Sequence, residues 1–256
     1  MLDVQRHDAI LEMRLARPPV NALDPALVRA LKDTFLEAPG TGARAIVLSG
    51  TPGLYSGGLD VPALLALDRA AMQDFWRDFI GLLGAIGRCP VPVVAAVTGH
   101  SPAGGAVLAI FCDYRVMARA TDPAKPYRIG LNEVQVGLSV PPAIQFAYRR
   151  LLGSHRAERL MVAGAMVDSE TALRIGLVDE LAAAAEVVPQ AMAWCRQHLA
   201  LPPEAMAETR RLARADLHEM LGRSMNDPAE DFMARWFSAE SQAVLQALVA
   251  KLKSKG

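Results

Sequence analysis

The sequence predicts an α/β fold made of strand, strand, helix repeats and ending in a long helical region. Two short runs of Val, Ile and Ala, 44–49 and 91–98, lack polar alternation and are bounded by Gly and Pro, as strands covered on both faces are. Each run leads into a glycine-rich stretch and then into an apolar segment of helical period. From about residue 140 the strand signal nearly vanishes, and helical stretches succeed one another to the C-terminus.

Taken in order, residues 2–7 and 9–15 alternate apolar and polar around Arg6, His7 and Asp8, which predicts a half-buried hairpin. After the turn-rich Pro18 to Asn21, Asp24 caps a helix with Pro25 at its first position and Leu27, Leu31 and Phe35 on its apolar face. Pro39, Gly40 and Gly42 end it. Between the two buried strands, Met72, Phe75, Trp76, Phe79, Leu83 and Ile86 mark a second helix, and a glycine-led helix runs from Gly104 to Cys112. Further helices are expected near 140–152, 154–163, 168–174, 186–199, 203–221, 227–236 and 238–253. In the last, Val244, Leu245, Leu248, Val249 and Leu252 form a stripe that needs a covering surface, which a neighbouring subunit is expected to supply. Residues 1–190 read as one core, and 191–256 as a helical region for assembly and pocket closure.

With 256 residues, 52% of them hydrophobic, the chain can bury a sizeable core without a disulfide or a metal. Lys plus Arg and Asp plus Glu number 27 each, so there is no global electrostatic footprint for nucleic acid or an anionic membrane. Cys89, Cys112 and Cys195 are too scattered for zinc or a disulfide framework, and no two histidines have the spacing of a helical metal pair. No metal is expected. No run approaches the roughly 18 to 20 apolar residues of a membrane span. The acidic, alternating N-terminus has neither signal-peptide nor transit-peptide character, and a cytoplasmic location is expected.

Three stretches carry chemistry. Ser49 to Val61 ends a buried strand in a loop with four glycines, which lets backbone N–H groups approach a ligand. Gly99 to Cys112 runs another strand into Gly104 and Gly105 at a helix N-terminus, where free N–H groups favour a developing negative charge. Each is also what an ordinary tight connection looks like, and neither is a phosphate or dinucleotide fingerprint. The third, Tyr127 to Gly137, sets Glu133 beside Asn132 among Ile129, Leu131, Val134 and Val136. Partial burial there would raise the Glu133 pKa into the range of a general base.

Together with RPPVNALD (Arg17 to Asp24), GSHRAERL (Gly153 to Leu160) and ALRIGLVDEL (Ala172 to Leu181), these stretches resemble the enoyl-CoA hydratase/isomerase or crotonase superfamily over nearly the whole chain. Within it the likeness is to Δ3,Δ2-enoyl-CoA isomerases of mitochondrial type, which share the NPPVN-like start and the G-L-N-E segment. The resemblance implies a crotonase-like spiral of strand, strand, helix repeats acting on an acyl-CoA thioester, with no cofactor beyond the CoA of the substrate. It implies an oxyanion hole from the N–H groups of Leu59 and Gly104, with Glu133 as catalytic base. It further implies that Gly57, Gly58, Leu59, Asp60 and Val61 contact the CoA moiety, and that Asn21 and Ala22 lie near its phosphates or adenine. Asn132, beside the base, joins the substrate-binding set. Relatives assemble as trimers or paired trimers, so a homotrimer or dimer of trimers is expected.

Hydratases of the superfamily carry a second glutamate three residues after the oxyanion glycine, where this chain has Val107. Dienoyl-CoA isomerases carry another carboxylate eight positions after the first, where this chain has Pro141. The expectation is therefore a 3-enoyl to 2-enoyl isomerase, with a hydratase or a catalytically weak acyl-CoA-binding scaffold as alternatives. A hydrolase triad of Ser56, His100 and Asp60 lacks the G-x-S-x-G elbow. Phe75, Trp76 and Phe79 read as core or as a wall of the acyl pocket. Lys251, Lys253 and Lys255 read as a solvated helix end, with CoA phosphates as the alternative.

Overall fold

In a computed structural model, residues 1–227 and 229–254 are described. Strands β1 (Leu2–His7) and β2 (Ile10–Leu15) form the expected antiparallel hairpin, pairing Leu2 with Leu15 and His7 with Ile10. Only β1 is half-exposed. β2 is buried at five of its six positions because β3 pairs with its other edge.

Helix α1 (Pro25–Glu37) starts where the sequence places it, with the Asp24 carboxylate accepting from the Leu27 N–H at 2.8 Å. Then come β3 (Ala45–Ser49), β4 (Gly53–Leu54), α2 (Val61–Leu65), α3 (Arg69–Gly87), β5 (Val93–Val97), β6 (Gly99–Pro102), α4 (Gly104–Phe111), β7 (Tyr114–Arg119) and β8 (Arg128–Gly130). After a single 3-10 turn, Glu133–Val136, follow α5 (Pro142–Leu152), α6 (Ser154–Ala163), β9 (Val167–Asp168), α7 (Ser169–Ile175) and β10 (Glu180–Ala183). The chain closes with α8 (Val187–Leu199), α9 (Pro203–Ala213), α10 (Ala215–Met225), α11 (Glu230–Trp236) and α12 (Ala239–Lys253).

The pairs β3/β4, β5/β6 and β7/β8 each send their first strand to a six-stranded sheet, ordered β1-β2-β3-β5-β7-β10, and their second to a four-stranded sheet, ordered β4-β6-β8-β9. The chain thus winds as a spiral of strand, strand, helix units. In the large sheet β3 and β5 are central, and their side chains divide by parity. Ile46, Leu48, Val93, Ala95 and Val97 join the main core, while Ala45, Val47, Val94 and Ala96 meet Val187, Ala191, Met192 and Cys195 of α8 on the other face. That two-sided burial is why these runs lack polar alternation.

Two expectations change. β9 and β10 lie beyond residue 140, two and four residues long, and their strand character comes from pairing with β8 and β7 rather than from composition. The helix expected over 203–221 is two helices broken at Arg214, whose side chain bonds Asp113 and the Phe111 carbonyl. The stripe on α12 is covered in part by its own chain: Leu245 is fully buried, Leu248 and Leu252 line the chain's own cavity, and the helix packs on α2 and on the Glu133–Val136 turn, while Val244 and Leu252 remain 36% and 54% exposed. Among the described residues, no helix is long and apolar enough to cross a membrane.

Candidate active site

The small sheet brings the three chemical stretches to one place. The loop after β4 carries Gly57 to Asp60, β6 leads into the N-terminus of α4, and β8 leads into the turn that bears Glu133. The Leu23 N–H donates to the Gly58 carbonyl at 2.8 Å and the Asp60 N–H to the Leu23 carbonyl at 3.1 Å, which pins the loop on one side. Gly58 has φ +88°, a conformation a side chain would strain. At Gly105 a Cβ would fall 2.8 Å from the Ser56 carbonyl oxygen, so only glycine lets the helix start sit against the loop. A carbon added at Gly104 would likewise lie 3.3 Å from the Leu59 nitrogen, so the two backbones are about one side-chain atom apart.

Ala103 enters α4 at φ +42°, ψ −116°, a strained conformation for a residue with a Cβ. Its own N–H donates to the Gly130 carbonyl at 2.9 Å, which ties the helix start to the strand before Glu133. Among the described residues, the N–H groups of Leu59 and Gly104 have no acceptor in the protein.

The Glu133 turn is held from both sides. Gln135 donates to the Gly164 carbonyl at 2.8 Å, and the Ser241 hydroxyl of α12 donates to the Gly137 carbonyl at 2.6 Å. Glu133 Oε2 and Asn132 Oδ1 are both shut off from solvent without a hydrogen-bond partner. Burial pushes the Glu133 carboxyl up to about 7. Burial, and then the Glu133 charge, also push up the hydroxyl of Tyr148, which lies on α5.

Glu133, Asn132, Leu59, Gly104, Gly57, Asp60, Val61 and Ala22 all line one cavity of about 770 Å3, within the usual range for small-molecule sites. Val107 and Pro141 line it too, as do Trp76 and Phe79 of α3 and Phe232 and Trp236 of α11. Two of the expected contact residues do not line it. Asn21 is 1% exposed, with its amide donating to the Thr51 hydroxyl and the Tyr55 carbonyl and accepting from the Arg17 N–H at 2.9 Å. Gly58 turns its carbonyl to Leu23 and its N–H to the Ser56 hydroxyl. The Ser56, His100 and Asp60 side chains are not linked: Ser56 donates to the Asn21 carbonyl, His100 Nδ1 accepts from the Arg128 N–H, and Asp60 caps α2.

Sequence reasoning missed Arg17. Its guanidinium pairs with Asp24 at 3.0 Å and Asp60 at 2.7 Å and donates to the Ala22 carbonyl, clasping the first turn to the glycine loop. Two acids that each cap a helix and share one arginine are visible only when the chain is folded. Lys251 is exposed at the end of α12, and Lys255 lies outside the described residues.

Two mainly parallel sheets wound from strand, strand, helix units beside this cavity define a crotonase-type acyl-CoA enzyme scaffold, and the chain belongs to the enoyl-CoA hydratase/isomerase family, whose model matches residues 5–255. Among individual relatives, it is 29% identical to mitochondrial enoyl-CoA delta isomerase 1 of Mus musculus, covering 100% of this chain and 88% of that one. The structure superposes on human mitochondrial Δ3-Δ2-enoyl-CoA isomerase with a TM-score of 0.92 at 26% identity, over 99% of this chain and 98% of that one. It also superposes on an enoyl-CoA hydratase of Mycobacterium ulcerans with a TM-score of 0.82 at 28% identity, over 90% and 99%.

Proposed function

We propose that the protein is a Δ3,Δ2-enoyl-CoA isomerase that moves a double bond along an acyl thioester with Glu133 as its one proton carrier. The observation that carries this reading is a carboxyl group raised to about 7 by burial, with Oε2 shut off from solvent and unpartnered, in one cavity with two free backbone N–H groups. Ionised Glu133 removes a proton from the second carbon of a 3-enoyl-CoA. The electron pair moves through the carbonyl, and the thioester oxygen becomes negative. The N–H groups of Leu59 and Gly104, fixed in a dry site, hold that charge without reorganising, and losing one such donor typically costs about 100- to 1000-fold in rate. Protonated Glu133 then returns its proton to the fourth carbon, the oxyanion collapses, and a 2-enoyl thioester leaves.

Addition of water asks for a second group to hold and activate it. Among the described residues, Asp60 is the one carboxylate besides Glu133 that lines the cavity, and it is engaged by Arg17 and the α2 N-terminus. Val107 and Pro141 present hydrocarbon. Hydratase activity is the second reading, because the enoyl-CoA hydratase of Mycobacterium ulcerans superposes well. Incubation with a 3-enoyl-CoA, following the conjugated 2-enoyl thioester by absorbance, tests the proposal. Fast hydration of 2-enoyl-CoA without double-bond migration would replace it with the hydratase reading, and neither reaction would leave an acyl-CoA-binding scaffold. The proposal includes no cofactor beyond the substrate's CoA, a homotrimer or paired trimers as the assembly, and a cytoplasmic location.

A further inference from the structure

The cavity has two unlike ends. Near the clasp of Arg17, its lining is exposed or half-exposed and includes His100 and Arg128. The rest of the lining includes buried apolar side chains: Val107 is 1% exposed, Phe79 2% and Trp236 1%. Trp76 of α3 and Phe232 of α11, both in the lining, lie flat on one another, with ring centroids 3.4 Å apart and planes 8° from parallel. Phe232 also packs against Trp236 at 6.0 Å, and the Arg69 guanidinium sits over the next aromatic, Phe237, at 5.7 Å. Trp76 is nearly buried, while Phe232 is half-exposed, so its ring is the thin part of the wall.

We infer that the Trp76–Phe232 stack is the end stop of the acyl-tail pocket and sets the longest unsubstituted hydrocarbon tail that the cavity fully buries. This rests on the acyl-CoA reading of the site and adds the class of tail and its limit. A thioester held at the Leu59 and Gly104 N–H groups with its CoA at the open end must send its tail toward this wall. The wall residues are hydrocarbon or aromatic, so a hydroxylated or carboxylated tail would lose its hydration there without a partner. A tail that reaches the stack must part α11 from α3 to go further.

The test is the affinity of unreactive saturated acyl-CoAs, hexanoyl through palmitoyl, for the full chain by calorimetry. Each methylene that enters the pocket strengthens binding by up to about fourfold. We expect the dissociation constant to fall with length and then level off. Phe232→Ala should move the levelling point to longer tails, and Phe232→Leu, which keeps most of the packing, should move it less. The same levelling point in both variants, or no dependence on length in the wild type, would overturn the inference. Turnover of a 3-enoyl-CoA is measured separately. A length limit that shifts in a protein without isomerase activity would sink the isomerase reading and leave the end stop standing.

Discussion

Glu133 is a half-buried residue whose Oε2 is shut off from water without a hydrogen-bond partner, and both its reactivity and its cost follow from that. An ionised carboxylate is disfavoured by burial, so its folded pKa of about 7 lies above the 4.5 of a free glutamate. The folded state therefore binds the proton more tightly than the unfolded chain, and the protein loses stability as pH rises from about 4.5 through 7. Glu133→Gln, neutral throughout, should match the wild type in melting temperature near pH 4 and exceed it above pH 7. Equal melting temperatures at both pH values would mean that Glu133 is better solvated than its position implies. The same substitution removes the base, so turnover should fall by several orders of magnitude, while wild-type kcat/KM should drop as pH falls through about 7. Val107→Glu should add measurable hydration of 2-enoyl-CoA, because a second carboxylate would then face the same cavity. Efficient hydration by the unmodified protein would contradict the one-carboxylate mechanism.

At the scale of elements, the site is assembled by pieces remote in sequence and fastened by few groups. Arg17 joins the caps of α1 and α2 through Asp24 and Asp60 in a partly buried cluster. Arg17→Ala leaves two carboxylates facing each other and should destabilise the protein by about 1–3 kcal/mol, between the values for exposed and buried pairs. Chemical denaturation measures this, and a loss under about 0.5 kcal/mol would place the cluster with ordinary surface pairs. Helix α12 supplies part of the cavity lining and the Ser241 bond to the Glu133 turn. A chain ending at Phe237 should admit water to Glu133 and shift the acid limb of activity from about 7 toward 4.5, since burial is the leading cause of the raised pKa. An unmoved acid limb would show that α12 is not what keeps the carboxylate dry.

For the whole molecule, the apolar stripe of α12 is covered only in part by its own chain: Leu245 is buried, but Val244 is 36% and Leu252 54% exposed, which leaves hydrocarbon on the outer side of that helix. Leu36, Val162 and Leu212 are large apolar side chains more than half exposed, well away from that helix in sequence. If the outer residues of α12, Val244 and Leu252 among them, form a contact between subunits, the chain ending at Phe237 should show a lower oligomeric state than the full-length protein by light scattering. The same oligomeric state in both would mean that assembly uses other surfaces, such as those around Leu36, Val162 and Leu212.

Local chemistry was enough for the sequence to determine the α1 cap at Asp24, the two buried strands, the glycine-led start of α4 and the presence of Glu133 among apolar neighbours. Each depends on residues within a few positions of one another. What the tertiary structure decided is everything that requires distant segments to meet. β9 and β10 are strands because β8 and β7 offer them edges, and Asn21 is withdrawn from the cavity because the distant Thr51 and Tyr55, together with the nearby Arg17 N–H, use its amide. Arg17 acquires its role from two acids that only folding brings together, and α12 covers its own cavity because the chain turns back at α11. Periodicity marks a face that must be covered and a carboxylate that burial would perturb. It carries no information about which surface arrives to cover the one or dry the other, because that is set by the path of the chain through space.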